Sequence, residues 1–101
     1  MDQLSFYVSE KQLHTGMPVY EWLLEVAQAL GIQGGSAFRA IAGFGRHGRL
    51  HEETFFELAG ELAVKVEFIL DDQQAEQMMQ KIRAQNLKVF YVRHAVQSGI
   101  V

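Results

Sequence analysis

The segment 40–53, AIAGFGRHGRLHEE, places three glycines, two arginines and two histidines within fourteen residues. Glycines at 43, 45 and 48 let a backbone approach a ligand and present its N–H groups. Arg46 and Arg49, with Arg39 just upstream, can fork onto a phosphate or a carboxylate. A dinucleotide fingerprint needs such glycines to open a helix directly after a strand. These follow a strand-like run but open no helix, so that reading is excluded. An anion cradle and a plain glycine-rich β–β connection both remain open. His47 and His51 are four apart, a spacing that on a helix gives one face and suits zinc. Gly45 and Gly48 argue against a helix, and only Glu52 and Glu53 stand near as further ligands. The spacing favours histidines in a solvated loop over a metal site.

Other chemistry is thinner. Glu10 with Glu21, or Asp71 with Asp72, could be carboxylate pairs, but the second pair stands where a helix cap is needed. Ser5, Ser9, Ser36 and Ser98 have no recognisable histidine–acid framework. The chain has no cysteine, which removes thiolate catalysis, disulfides and cysteine–zinc sites together. Met78 and Met79 fall on a helical stripe and read as core, and Trp22 reads as a core-boundary residue. No constellation calls for an enzyme.

A chain of 101 residues, 49% of them apolar, is expected to form one domain over 1–101. The net charge of −3 leaves no general nucleic-acid footprint, although a local basic patch around Arg39, Arg46 and Arg49 is compatible with it. The N-terminus MDQLSFYVSE has neither a signal-peptide pattern nor a membrane span, so a cytoplasmic location is expected.

Alternation of Leu4, Phe6 and Val8 with Ser5, Tyr7 and Ser9 predicts a strand over 3–9. His14-Thr15-Gly16 breaks that pattern. Pro18 suits a first helical position, followed by Tyr20, Leu23, Leu24, Ala27 and Leu30 at helical spacing. Gly31 can close this helix in a left-handed conformation, with Ile32 as the apolar contact beyond. A second strand is expected over 36–44. The third, over 63–70, alternates Val64, Val66, Phe68 and Leu70 with Lys65 and Glu67. Asp71 or Asp72 caps a second helix with inner residues Ala75, Met78, Met79 and Ile82. Asn86 ends it, and a last strand is expected over 87–94. The order β-α-β-β-α-β predicts an α+β, ferredoxin-like sandwich: a four-stranded antiparallel sheet with two helices on one face.

The strands are apolar on both sides. Leu87, Val89 and Tyr91 oppose Phe90 and Val92; Phe38 and Phe44 oppose Ile41. Two helices cover one face, so the other needs a partner. A homo-oligomer joined through its sheets is expected; the alternative is residues 52–62, with Phe55, Phe56 and Leu58, folding back over the face.

Several separated motifs resemble the PII signalling proteins. Residues 42–46 read AGFGR and 64–72 read VKVEFILDD, similar to the G-F-G-R that opens the PII T-loop and the acidic-ended strand that follows it. The chain more specifically resembles the DUF-190 branch, whose pattern is a G-x-P-L-Y-like helix start, R-x-I-A-G-F-G, a later histidine and L-x-E-x-L-P-V. Here these are GMPVY at 16–20, RAIAGFG at 39–45, His51, and Glu57-Leu58 followed by ELAV at 61–64. The resemblance spans nearly the whole chain.

That resemblance implies a non-enzymatic regulatory homotrimer, its sheets facing inward and its ligand clefts between subunits. The small-molecule effector would be an adenine nucleotide, and residues 45–62 would respond as a T-loop, docking to a membrane transporter or an enzyme. Gly43, Phe44, Gly45 and Arg46 would form the T-loop base, with Lys88 near the position of the phosphate-contacting lysine. Arg39, Arg49 and His51 complete the expected ligand-binding set. The chain departs from PII in three places. Residues 84–90 read AQNLKVF instead of a glycine-rich G-x-G-D-G-K-I-F loop. The later R-I-R is replaced by AVQSG at 95–99, and no tyrosine lies between Gly43 and Lys65. A triphosphate grip and a tyrosine-modification switch of the PII kind are therefore not implied. A mono- or diphosphate, a dinucleotide or a small anion demands less of Arg39, Arg46, Arg49 and Lys88. The alternative function is a metal-binding or small catalytic trimer built on His47 and His51.

Overall fold

A computed structural model describes residues 1–44 and 63–101. In chain order the elements are β1 (Asp2–Ser9), β2 (Leu13–His14), β3 (Met17–Pro18), α1 (Val19–Ala29), β4 (Gly35–Arg39), β5 (Ala63–Leu70), α2 (Asp72–Ala84) and β6 (Phe90–Ala95). The main sheet runs β4-β5-β1-β6 with every neighbouring pair antiparallel. This is the expected four-stranded ferredoxin-like order, with β1 and β5 central and β4 and β6 at the edges.

Pairing of Leu4 with Phe68, Phe6 with Val66 and Val8 with Val64 stacks the apolar side of β1 beside that of β5. Both helices close on that side. Val19, Leu23 and Ala27 of α1 and Ala75, Met78 and Ile82 of α2 join these strand residues in one buried cluster. At about 1.5–3 kcal/mol per large side chain removed from water, this cluster supplies most of the drive for folding. Phe6 and Phe68 meet edge to face, with ring centroids 6.4 Å apart.

Local chemistry sets the helix ends. Asp71 caps α2: its carboxylate accepts from the Gln74 backbone at 2.8 Å, while the Gln74 side chain accepts from the Asp71 N–H at 3.1 Å. Both helices stop in Schellman geometry. Gly31, at φ +83°, lets Ile32 N–H reach Ala27 O at 3.0 Å; Asn86, at φ +58°, lets Leu87 N–H reach Ile82 O at 3.4 Å.

Three expected boundaries move. Pro18 is the residue before α1, in extended backbone, because it pairs with Leu13 in a small hairpin. That hairpin turns at Thr15 (φ +50°) and Gly16 (φ +84°), the pair of positive φ values that a tight two-residue turn demands. β4 ends at Arg39, with one further bond from Ala40 N–H to Ala63 O at 2.9 Å. Ile41 and Phe44 thus lie beyond the strand and are 96% and 97% exposed, rather than on its opposite faces. The last strand begins at Phe90, not Leu87, since the Leu87 N–H is committed to the end of α2.

The second face of the sheet stays open among the described residues. Phe38, Phe90, Val92 and Ile69 all retain exposure there, as expected of strands apolar on both sides. The segment 52–62 lies outside the described residues.

Candidate functional site

The C-terminal ends of β1 and β4 and the N-terminal ends of β5 and β6 share one end of the sheet. Pairing of Ser9 with Ala63, Arg39 with Val64 and Tyr7 with Phe90 fixes this. Arg39 closes β4 here, Gly43 and Phe44 continue from it, and Lys88 stands two residues before β6. The sheet therefore brings Arg39, Gly43, Phe44 and Lys88 to one end. Gly45, Arg46, Arg49 and His51 lie outside the described residues, as does His47.

Arg39 and Lys88 belong to opposite edges. Three strand spacings of about 4.8 Å, roughly 14 Å in all, separate the β4 edge that carries Arg39 from the β6 edge that Lys88 precedes.

Arg39 already has a partner: its Nε donates to Glu10 Oε1 at 2.6 Å. That hydrogen bond is the main reason the guanidinium is held above its usual pKa, with Coulomb attraction from the same carboxylate adding to it. Glu10, at the exit of β1, is thus the residue that sets the availability of Arg39. The sequence contains both residues but gives no local sign that they pair across 29 positions. An exposed pair of this kind is weak and screened by salt, so an incoming anion can displace or share it. An alanine-like Cβ at Gly43 would meet nothing within 4 Å among the described residues.

A second polar cluster lies at the other end of the sheet, on the helix side. Arg93 of β6 donates to Asp2 at 2.7 Å, Asp72 at 3.0 Å and Glu76 at 3.1 Å. Asp2 is pulled below its usual pKa, chiefly by the Arg93 hydrogen bond, and Arg93 is pushed up in return. The three acids are 91, 21 and 17 positions away from Arg93, so no spacing rule could have joined them. The cluster ties β1, β6 and the first turns of α2 together. Among the described residues no group of histidines and carboxylates is arranged to hold a metal ion.

The model of the DUF190 family, described as "Uncharacterized ACR", matches residues 1–98. The chain belongs to the DUF190 family. A UPF0166 protein of Aquifex aeolicus is 32% identical to this DUF190 chain over 83 residues, which cover 82% of this chain and 79% of that protein. A crystal structure from Thermus thermophilus, described as a candidate PII-like signalling protein, matches with a TM-score of 0.60. Identity to it is 16%, and the match covers 92% of this chain and 83% of that one. The DUF190 chain thus shares the PII-like, ferredoxin-like fold. No described helix is long and apolar enough to cross a membrane.

Proposed function

We propose that this DUF190 protein is a regulatory, non-enzymatic homo-oligomer, a trimer by its PII likeness, that binds a small anionic ligand between subunits. An adenine nucleotide with fewer demands than a triphosphate is the ligand class that fits best. The carrying observation is the placement of Arg39 and Lys88 at one end of the sheet but on opposite edges. The β4 edge of one copy set beside the β6 edge of another would bring Arg39 and Lys88 into one cleft between subunits. The open apolar face supports the same assembly, because exposed aromatic residues on a sheet need a cover. The connection between β4 and β5, which starts beside this cleft, would relay occupancy to a transporter or enzyme partner.

Thermal melts on a panel of mono-, di- and triphosphate adenine nucleotides and simple anions test this. A ligand near 100-fold excess over its Kd adds about 2.7 kcal/mol to the native state, enough to raise Tm by several degrees or more. The rise should fall in Lys88→Ala. Flat melts throughout the panel would refute the ligand reading.

A further inference from the structure

The open sheet face is organised in transverse rows. Phe38, Lys65, Tyr7 and Phe90 stand side by side across β4, β5, β1 and β6, and the next row is Ser36, Glu67, Ser5 and Val92. The first row is aromatic apart from Lys65, whose Nζ lies 5.6 Å from the centre of the Phe38 ring; Tyr7 and Phe90 have ring centroids 5.7 Å apart. Lys65 Nζ also pairs with Glu67 Oε1 at 3.0 Å, with the two side chains 35% and 26% exposed. One positive and one negative group therefore sit in adjacent rows at the middle of an apolar face.

We infer that Lys65 and Glu67 fix the register of the sheet-to-sheet contact between copies of this chain, Lys65 of one copy meeting Glu67 of another. The inference rests on the homo-oligomer proposed above. Among the described strand residues the face is self-complementary in charge: Lys65 and Glu67 give one group of each sign at a fixed row spacing. A second copy therefore supplies the counter-charge for each group, whereas an apolar partner would leave the pair desolvated and only half satisfied. Burying an ion pair without further partners costs free energy, and an alternating network between copies offsets that cost. An apolar face alone would also slide. Aromatic contacts tolerate displacement by a row, but a like-charge encounter does not, so one buried charge pair selects one register.

The test uses two variants that separate contacts within a chain from contacts between chains. Lys65→Glu puts two acids on the face and Glu67→Lys puts two bases there, so neither retains the internal pair. Native mass spectrometry and analytical ultracentrifugation should show wild-type chain assembled and each variant alone dissociated, with at least a tenfold weaker self-association. An equimolar mixture of the two should recover assemblies containing both at least in part, because two of the three contacts in a mixed trimer then join opposite charges. Circular dichroism establishes that each variant is folded; if either is not, Lys65→Gln and Glu67→Gln replace them, each expected to weaken assembly in the same direction. Variants that assemble as well as wild type, or a mixture that stays dissociated, would overturn the register role while leaving the homo-oligomer standing. A wild-type chain that is monomeric at all concentrations would overturn both.

Discussion

Replacing Gly35 by alanine sets a methyl group against the buried ring of Phe68. A Cβ built on Gly35 falls against Phe68 Cε1, lies 2.7 Å from Phe68 Cδ1 and 3.2 Å from Leu24 Cδ2. Ordinary carbon contacts are about 3.5–4.0 Å, so the ring edge must retreat by roughly an ångström. Phe68 is 2% exposed and its other side meets Phe6 edge to face, so the ring can yield only toward the groove that it lines with Gly35, Leu24 and Ile32. Gly35 does not lie in the left-handed region, so alanine should suit its backbone and stabilise by about 0.4–1 kcal/mol through the unfolded chain. Overpacking a tight core costs about 1–3 kcal/mol. The second effect is the larger, and the expected net loss is about 1–2 kcal/mol. Urea denaturation followed by circular dichroism at 25 °C measures it. In a Phe68→Leu background, with the ring edge removed, the same alanine should cost little or stabilise. A Gly35→Ala protein as stable as wild type, or an equal loss in both backgrounds, would refute the crowding argument.

Asp71→Ala removes the capping box of α2 and should lower stability by about 1 kcal/mol in the same urea assay. Asn86→Gly, at a left-handed position, should hold or raise stability, whereas Gly31→Ala should lower it by about 1 kcal/mol, both read as Tm shifts. Asp2 has a lowered pKa when folded, so its contribution is present above the ordinary carboxylate range, about pH 4, and is lost as acid carries the pH down through the lowered value. Asp2→Asn should therefore flatten the stability profile below about pH 4, and a slope there equal to that of wild type would count against the Arg93 cluster. Glu10→Gln should release Arg39 and increase affinity for whichever anion raises Tm, measured by calorimetry at low salt.

Much of the fold was legible because its signals are local and periodic. Val64, Val66, Phe68 and Leu70 mark β5 by alternation alone, and Gly31-Ile32 marks the end of α1 by conformation. The β2–β3 hairpin was not legible: strands of two residues carry no period, and Thr15-Gly16 is not among the strong turn pairs. The outer limits of β4 and β6 depended on partners elsewhere, Ala63 for one and the end of α2 for the other. Of the expected ligand-binding residues, the sheet gathers Arg39, Gly43, Phe44 and Lys88 at one end. What no pattern could supply was the arrangement of charges around them. Arg39 meets Glu10, and Arg93 meets three acids, only because the sheet order makes distant residues neighbours.

The central position of β1 has a kinetic consequence. Residues 2–9 pair with 63–70 on one side and 90–95 on the other, and among the described residues with no strand nearer in sequence. At a synthesis rate of about 5–20 residues per second, Leu4, Phe6 and Val8 leave the ribosome several seconds before either of these strands can pair with them. During that interval an apolar strand of high β propensity is present without its sheet, which makes the first eight or nine residues the part of the chain most dependent on rapid completion or on a chaperone.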